Sequence, residues 1–172
     1  MCSANPSLGP LHTQVFHFAR ELSDGLKPQT AAYAEIWLDQ KQVVGEAVKD
    51  VEPLYGEYYL PRKFKIAIAV PPYNDVDVFC HDLGYIAILD DDKQLLGFNV
   101  TIGGGMGVTQ CVSLRPHVRS FRTQSTNSAS PTARSSMKTT YPRLANVVGF
   151  CTPDQGLEVA KAVLTTQRDN GN

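Results

Sequence analysis

The run from Leu60 to Pro72 constrains this chain most, because it reads as an apolar strand with two lysines at its entrance. In a two-residue repeat Lys63, Lys65, Ala67 and Ala69 point to one side, and Arg62, Phe64, Ile66, Ile68 and Val70 to the other. Same-face neighbours lie roughly 7 Å apart, so two ammonium groups repel unless they splay into water or share an anion. Two readings are open: a lysine pair that blunts a sheet edge, or an anion site. Pro71-Pro72 closes the strand.

A chain of 172 residues, 42% hydrophobic and 19% charged, suits one domain with a sizeable core. No apolar run is long enough to span a membrane, and Met1 to Pro6 lacks the basic and apolar regions of a signal peptide. The expectation is a cytoplasmic protein with no membrane association. Cys2, Cys80, Cys111 and Cys151 show no paired spacing, and His12, His17, His81 and His117 show no ligand spacing, so no metal residues are assigned. The net charge of -1 hides an asymmetry: from Lys93 to Arg143 there are seven basic residues and no acidic one. Only Phe121 interleaves those arginines and no RNA-binding signature occurs, so no nucleic-acid partner is expected.

Apolar residues at Leu11, Val15, Phe18, Leu22 and Leu26 predict an amphipathic helix from Leu11 to Leu26. A second helix is expected from Thr30 to Leu38, with Tyr33, Ile36 and Trp37 in the core, followed by a connection from Asp39 to Pro53. Tyr85 to Leu89 and Leu95 to Ile102 read as a hairpin about the acidic turn Asp90-Asp91-Asp92-Lys93. Thr152-Pro153-Asp154 starts a last helix that runs to about Gln167. Helices and strands segregate, which predicts an α+β fold with a mixed or antiparallel sheet flanked by helices.

Gly103-Gly104-Gly105-Met106-Gly107 follows a predicted strand. No helix opens after it and no acid follows until Asp154, which excludes a dinucleotide fingerprint, and no Gly-Lys-Ser/Thr marks a P-loop. A tight turn and a close approach to a bulky cofactor both remain. Between Gln110 and Met137 the sequence turns rich in serine, threonine and arginine, and reads as a disordered insert. Unspliced intron sequence is one explanation for it.

Taken together, Tyr33–Asp39 (YAEIWLD), Tyr59–Lys65 (YLPRKFK), Asn74–Asp77 (NDVD), Gly97–Asn99 (GFN), Gly103–Gly105 (GGG), Thr139–Ala145 (TTYPRLA) and Thr165–Asp169 (TTQRD) resemble the assimilatory sulfite reductase hemoprotein family. The resemblance covers most of the chain outside the insert. It implies siroheme coupled to a 4Fe-4S cluster, reduction of sulfite to sulfide in sulfate assimilation, and electrons from an NADPH-dependent flavoprotein or from ferredoxin. By resemblance Lys63 and Lys65 hold sulfite and help deliver protons, the electrostatic and acid-base role such a pair can fill. Arg62 would meet a siroheme carboxylate, Gly103, Gly104 and Gly105 would let backbone approach the macrocycle, and Asn99 is a further cofactor candidate. Nitrite reductases of the family carry a neutral residue where Lys65 stands, so sulfite is favoured. The family's cluster-binding cysteine motifs do not occur in this sequence. The expectation is therefore a single partial nitrite/sulfite reductase half-domain over residues 1–172, with an insert at 110–137. A nitrite reductase fragment and a non-catalytic product of an altered gene remain as alternatives.

Overall fold

The computed structural model describes residues 1–30, 36–44, 52–56, 59–60, 62–107, 109–110 and 139–171. Helix α1 spans Pro10–Gly25, with proline in its first turn, where a missing N–H costs nothing, and with Val15, Phe18 and Leu22 buried along one stripe. The Leu26 amide closes its end on the Leu22 carbonyl at 3.1 Å. These bounds agree with the apolar periodicity to within a residue.

Strands β1 (Ile36–Leu38) and β2 (Lys41–Val44) form an antiparallel hairpin, which corrects the expected helix from Thr30 to Leu38 and the expected connection after it. Ile36 and Trp37 are better suited to a pleated strand than to a helix, and Asp39 and Gln40, at φ 50° and 64°, make a two-residue turn that pairs the flanking backbones. Residues 31–35 and the side chains of Ile36 and Trp37 lie outside the described residues.

Strand β3 is Ile66–Ala69, β4 Leu83–Leu89 and β5 Leu95–Ile102. Two short strands, β6 (Thr109–Gln110) and β7 (Thr139–Thr140), pair with each other, and β8 (Asn146–Cys151) precedes α2 (Gly156–Asn170). The main sheet has the order β3-β4-β5-β8, parallel between β3 and β4 and antiparallel elsewhere. The β4–β5 hairpin is the one expected, its turn held by the Gln94 amide on Asp90 Oδ1 at 2.7 Å. Because β3 begins at Ile66, Lys63 and Lys65 lie in an extended lead-in rather than in the ladder. The outer edge of β3 is occupied by the start of the chain: the Ile68 amide donates to Met1 O at 2.9 Å and the Ser3 amide to Ile68 O at 3.0 Å. The stretch so covered, Ile66 to Val70, begins just past the two lysines.

Helices α1 and α2 cover one face of the sheet, giving an α+β fold with a mixed sheet. Phe18 stacks on Phe98 with ring centroids 4.2 Å apart and meets Tyr85 edge-on at 5.3 Å. Gly156 makes this approach possible, since a Cβ there would lie 2.3 Å from the Phe18 ring. The buried Tyr85 hydroxyl donates to Gly156 O at 2.8 Å. On the opposite face Ala67 and Ala69 pack with Val76 and Val78. Further along that face the sheet is open, and on β8 Val147, Val148 and Phe150 are each more than half exposed. Helix α2 follows a 3-10 turn, Pro153–Gln155, in which the Thr152 amide donates to Gln155 Oε1 at 3.2 Å, and it outlasts the expected Gln167 by three residues. The expected insert lies, but for Gln110, outside the described residues.

Candidate functional site

One end of the main sheet collects the residues singled out by the sequence. There β3, β4 and β8 begin and β5 ends, so the segments 62–65, 81–82, 103–107 and 141–145 meet. Asp82 ties them together. Its Oδ1 accepts from the Arg62 guanidinium at 2.7 Å, its Oδ2 from the Lys65 amide at 3.0 Å, and its backbone carbonyl from the Gly103 amide at 3.0 Å. The Asp82 side chain is only 11% exposed against 51% for Arg62, so the carboxylate anchors and the guanidinium reaches outward. Asp82 was not distinguishable in the sequence, since its partners are remote backbone groups.

The three glycines differ in what they require. Gly103 sits at φ +86°, a conformation that favours glycine, with the Arg143 guanidinium 4.0 Å from where a Cβ would stand. Gly104 is buried against the preceding turn, and a Cβ there would lie 2.3 Å from Phe79 O and 2.6 Å from His81 O. Gly105 exchanges two backbone hydrogen bonds with Arg143, at 2.9 and 3.0 Å, and a Cβ on it would meet nothing within 4 Å. A tight turn and a close backbone contact therefore account for Gly103 and Gly104, while Gly105 faces open space.

Lys63 is exposed and lines a cleft of about 670 Å³, together with Arg62, Tyr55, Tyr59 and Ile68. Lys65 is half-buried and lines neither this cleft nor its neighbour. Neither has a carboxylate partner among the described residues. Asn99 stands apart from this end of the sheet: it lies within β5, in register with Ile86 and Phe150.

A second cleft, of about 300 Å³, lies on the other side of the Arg62–Phe64 ridge and is lined by Arg62, Asp82, Gly103 and the last turn of α2. Gln167 on that turn buries its Nε2 without a hydrogen-bond partner among the described residues. Two more buried polar atoms near this end, His81 Nδ1 and Thr101 Oγ1, also lack a partner among the described residues. The His81 Nε2 donates to Val76 O at 2.9 Å, and Nδ1 has no partner among the described residues.

Elsewhere the titratable groups are structural. Burial pushes the Glu52 carboxyl up, but the hydroxyl and amide of Thr30 and the amides of Gln29 and Leu54 outweigh it and hold the group below its ordinary value. Burial pushes the Cys2 and Cys151 thiols up and keeps the Tyr85 phenol protonated. Among the described residues no group of three or more His, Cys, Asp or Glu side chains could hold a metal ion. No helix among them is long and apolar enough to cross a membrane.

The model of a family described as the nitrite and sulphite reductase 4Fe-4S domain matches residues 19–126, more than half of the chain. The chain is similar throughout to proteins called sulfite reductase (NADPH) hemoprotein beta-component. It is 51% identical to the one from Bacillus pumilus over 172 residues, and 49% identical to that from Bacillus subtilis. A third, from a Paenibacillus species, is 51% identical over 173 residues. Each comparison takes in 100% of this chain and 26% of the relative, so the chain spans about a quarter of the length of the curated relatives it matches.

Proposed function

This chain belongs to the nitrite and sulphite reductase 4Fe-4S domain family, and on that premise we propose that it supplies part of the sulfite and siroheme surface of an assimilatory sulfite reductase. The observation that carries the reading is the convergence of Arg62, Asp82, Gly103 and Arg143 at one end of the sheet, beside two lysines with no carboxylate partner among the described residues. Between Arg62 and Lys65 the lead-in holds three cations, and Asp82 is the one carboxylate bound to it among the described residues. Such a surface attracts oxyanions.

The residues present fit the rim of a carboxylate-bearing macrocycle. Arg62 spends one contact on Asp82 and keeps other N–H donors, and Gly105 leaves space that a side chain would fill. Bound there, siroheme would supply the electrons' route to sulfite. Lys63 and Lys65 would draw the anion in and hold protons near the departing oxygens, while Arg62 fixes a rim carboxylate and Gly103 to Gly105 keep side chains out of the way. Asn99, within β5, is the weakest of these assignments. The 4Fe-4S cluster is a different matter: the described residues offer no ligand set for it.

The sulfite reductases to which the chain is similar are named for NADPH, which favours an NADPH-dependent flavoprotein over ferredoxin as the donor. Lys65, together with those names, favours sulfite over nitrite. A single partial domain and a cytoplasmic location belong to the same proposal. The test is expression in cells that make siroheme, followed by the visible spectrum, iron and acid-labile sulfide content of the purified chain. A siroheme band without sulfide supports the rim assignment. Colourless protein with a cooperative melt overturns it for this chain.

A further inference from the structure

The lead-in from Arg62 to Lys65 runs outside the strand ladder, yet its last residue is pinned on both sides. Among the described residues two backbone hydrogen bonds hold this segment, and both are at Lys65: its amide donates to Asp82 Oδ2 at 3.0 Å, and its carbonyl accepts from the Leu83 amide at 3.2 Å. Asp82 is itself fixed from behind. Its own carbonyl accepts from the Gly103 amide at 3.0 Å, and its side chain is only 11% exposed. Its other carboxylate oxygen takes the Arg62 guanidinium at 2.7 Å. One carboxylate therefore ties down two of the three cation-bearing residues of the lead-in. Its charge acts in the opposite sense, because a carboxylate beside an oxyanion site repels the ligand.

We propose that Asp82 is a positioning residue of the oxyanion site: it holds the Lys65 backbone so that the ammonium group is presented to the anion, and this placement outweighs the repulsion from its own charge. A lysine's long, flexible stem does not fix its own ammonium group, so the anchor at its root decides where the charge can reach. Small misplacements of a binding group are costly to the chemistry it serves. The inference rests on the reading of the lysine pair given above and adds Asp82 to it. Arg62, half exposed, can turn to water when the carboxylate is removed, whereas the Lys65 amide can only keep or lose its acceptor.

The test titrates the intact chain with sulfite, at an ionic strength held constant with chloride, and follows the Lys65 side-chain resonances. Two pairs of proteins keep the charge at position 82 fixed while the acceptor changes. Asp82→Asn and Asp82→Ala are both neutral, but only asparagine retains a side-chain oxygen for the Lys65 amide. Sulfite is expected to bind Asp82→Asn at least as tightly as the parent, because a repelling charge is gone. It is expected to bind Asp82→Ala about tenfold more weakly than Asp82→Asn, the loss that goes with one hydrogen bond. Equal affinities in the two variants make Asp82 a structural residue only, which overturns the inference and leaves the reading of the lysine pair standing. If the alanine variant does not fold, Asp82→Glu keeps the charge and moves the acceptor one methylene further out. It is expected to bind sulfite about tenfold more weakly than the parent, and an affinity equal to the parent's overturns the inference. Sulfite that leaves the Lys65 resonances in place in the parent takes this lysine out of the anion site, and then the reading and the inference fall together.

Discussion

Asp82 and Arg62 meet at 2.7 Å, yet the two residues are not equal partners. Asp82 also takes the Lys65 amide and is nearly buried, whereas the guanidinium is half exposed. Removing the carboxylate strands an amide, while removing the cation leaves water to replace it. Asp82→Ala is therefore expected to cost about 1–3 kcal/mol and Arg62→Ala about 0–1 kcal/mol. Urea midpoints measure both. Equal losses would show that the ion pair, and not the backbone anchor, is what Asp82 provides.

The glycine turn separates by substitution. At Gly104 an alanine methyl would run into two backbone carbonyls, which cannot swing aside, and a loss of about 3 kcal/mol is expected. At Gly105 the same methyl meets open space, so stability is expected to change by about 0.5 kcal/mol or less. Thermal melts of the two variants decide the matter. A Gly105→Ala variant that melts normally but no longer binds uroporphyrin, a metal-free porphyrin with carboxylated arms, would assign the open space to the ligand.

Glu52 makes stability depend on acid. Its carboxyl lies below 4.5 in the folded chain because Thr30, Gln29 and Leu54 donate to the ionised form. A carboxylate with a depressed folded value stabilises fully above the unfolded value and loses that contribution as pH falls through the folded one. The Tm is expected to drop on acidification below 4.5, and to drop less in Glu52→Gln. Parallel curves for the two proteins would remove Glu52 from the account.

Lys65 tests substrate choice. In a full-length member of the family, Lys65→Asn is expected to lower kcat/KM for sulfite by about tenfold more than for nitrite, as expected for one lost charge contact in the transition state. Equal losses for both anions would mean that this position does not discriminate between them.

What could be read in the sequence follows how local each feature is. Helix α1, the β4–β5 hairpin and the start of α2 were legible because periodicity, an acidic turn and a Thr-Pro cap act within a few residues. The β1–β2 hairpin was not: a short apolar cluster around Trp37 fits either period, and a turn of Asp39 and Gln40 lacks the glycine that usually marks it. Strand β8 was missed because its apolar residues do not alternate and its pairing to β5 is long-range. At the site, the lysine pair and the glycine run stood out by pattern, while their roles and that of Arg62 came from the resemblance. Asp82 and Gln167 did not, since one acts on distant backbone and the other is notable only for what it fails to touch.

Residues 1–3 lie along β3 and close one margin of the main sheet, while among the described residues nothing pairs with the outer side of β8 at the other. A body with a single adhesive margin stops at two copies when it self-associates, because each pairing uses up the only site. Loosening the first three residues would bare the second margin and turn a self-limiting pair into an open-ended stack.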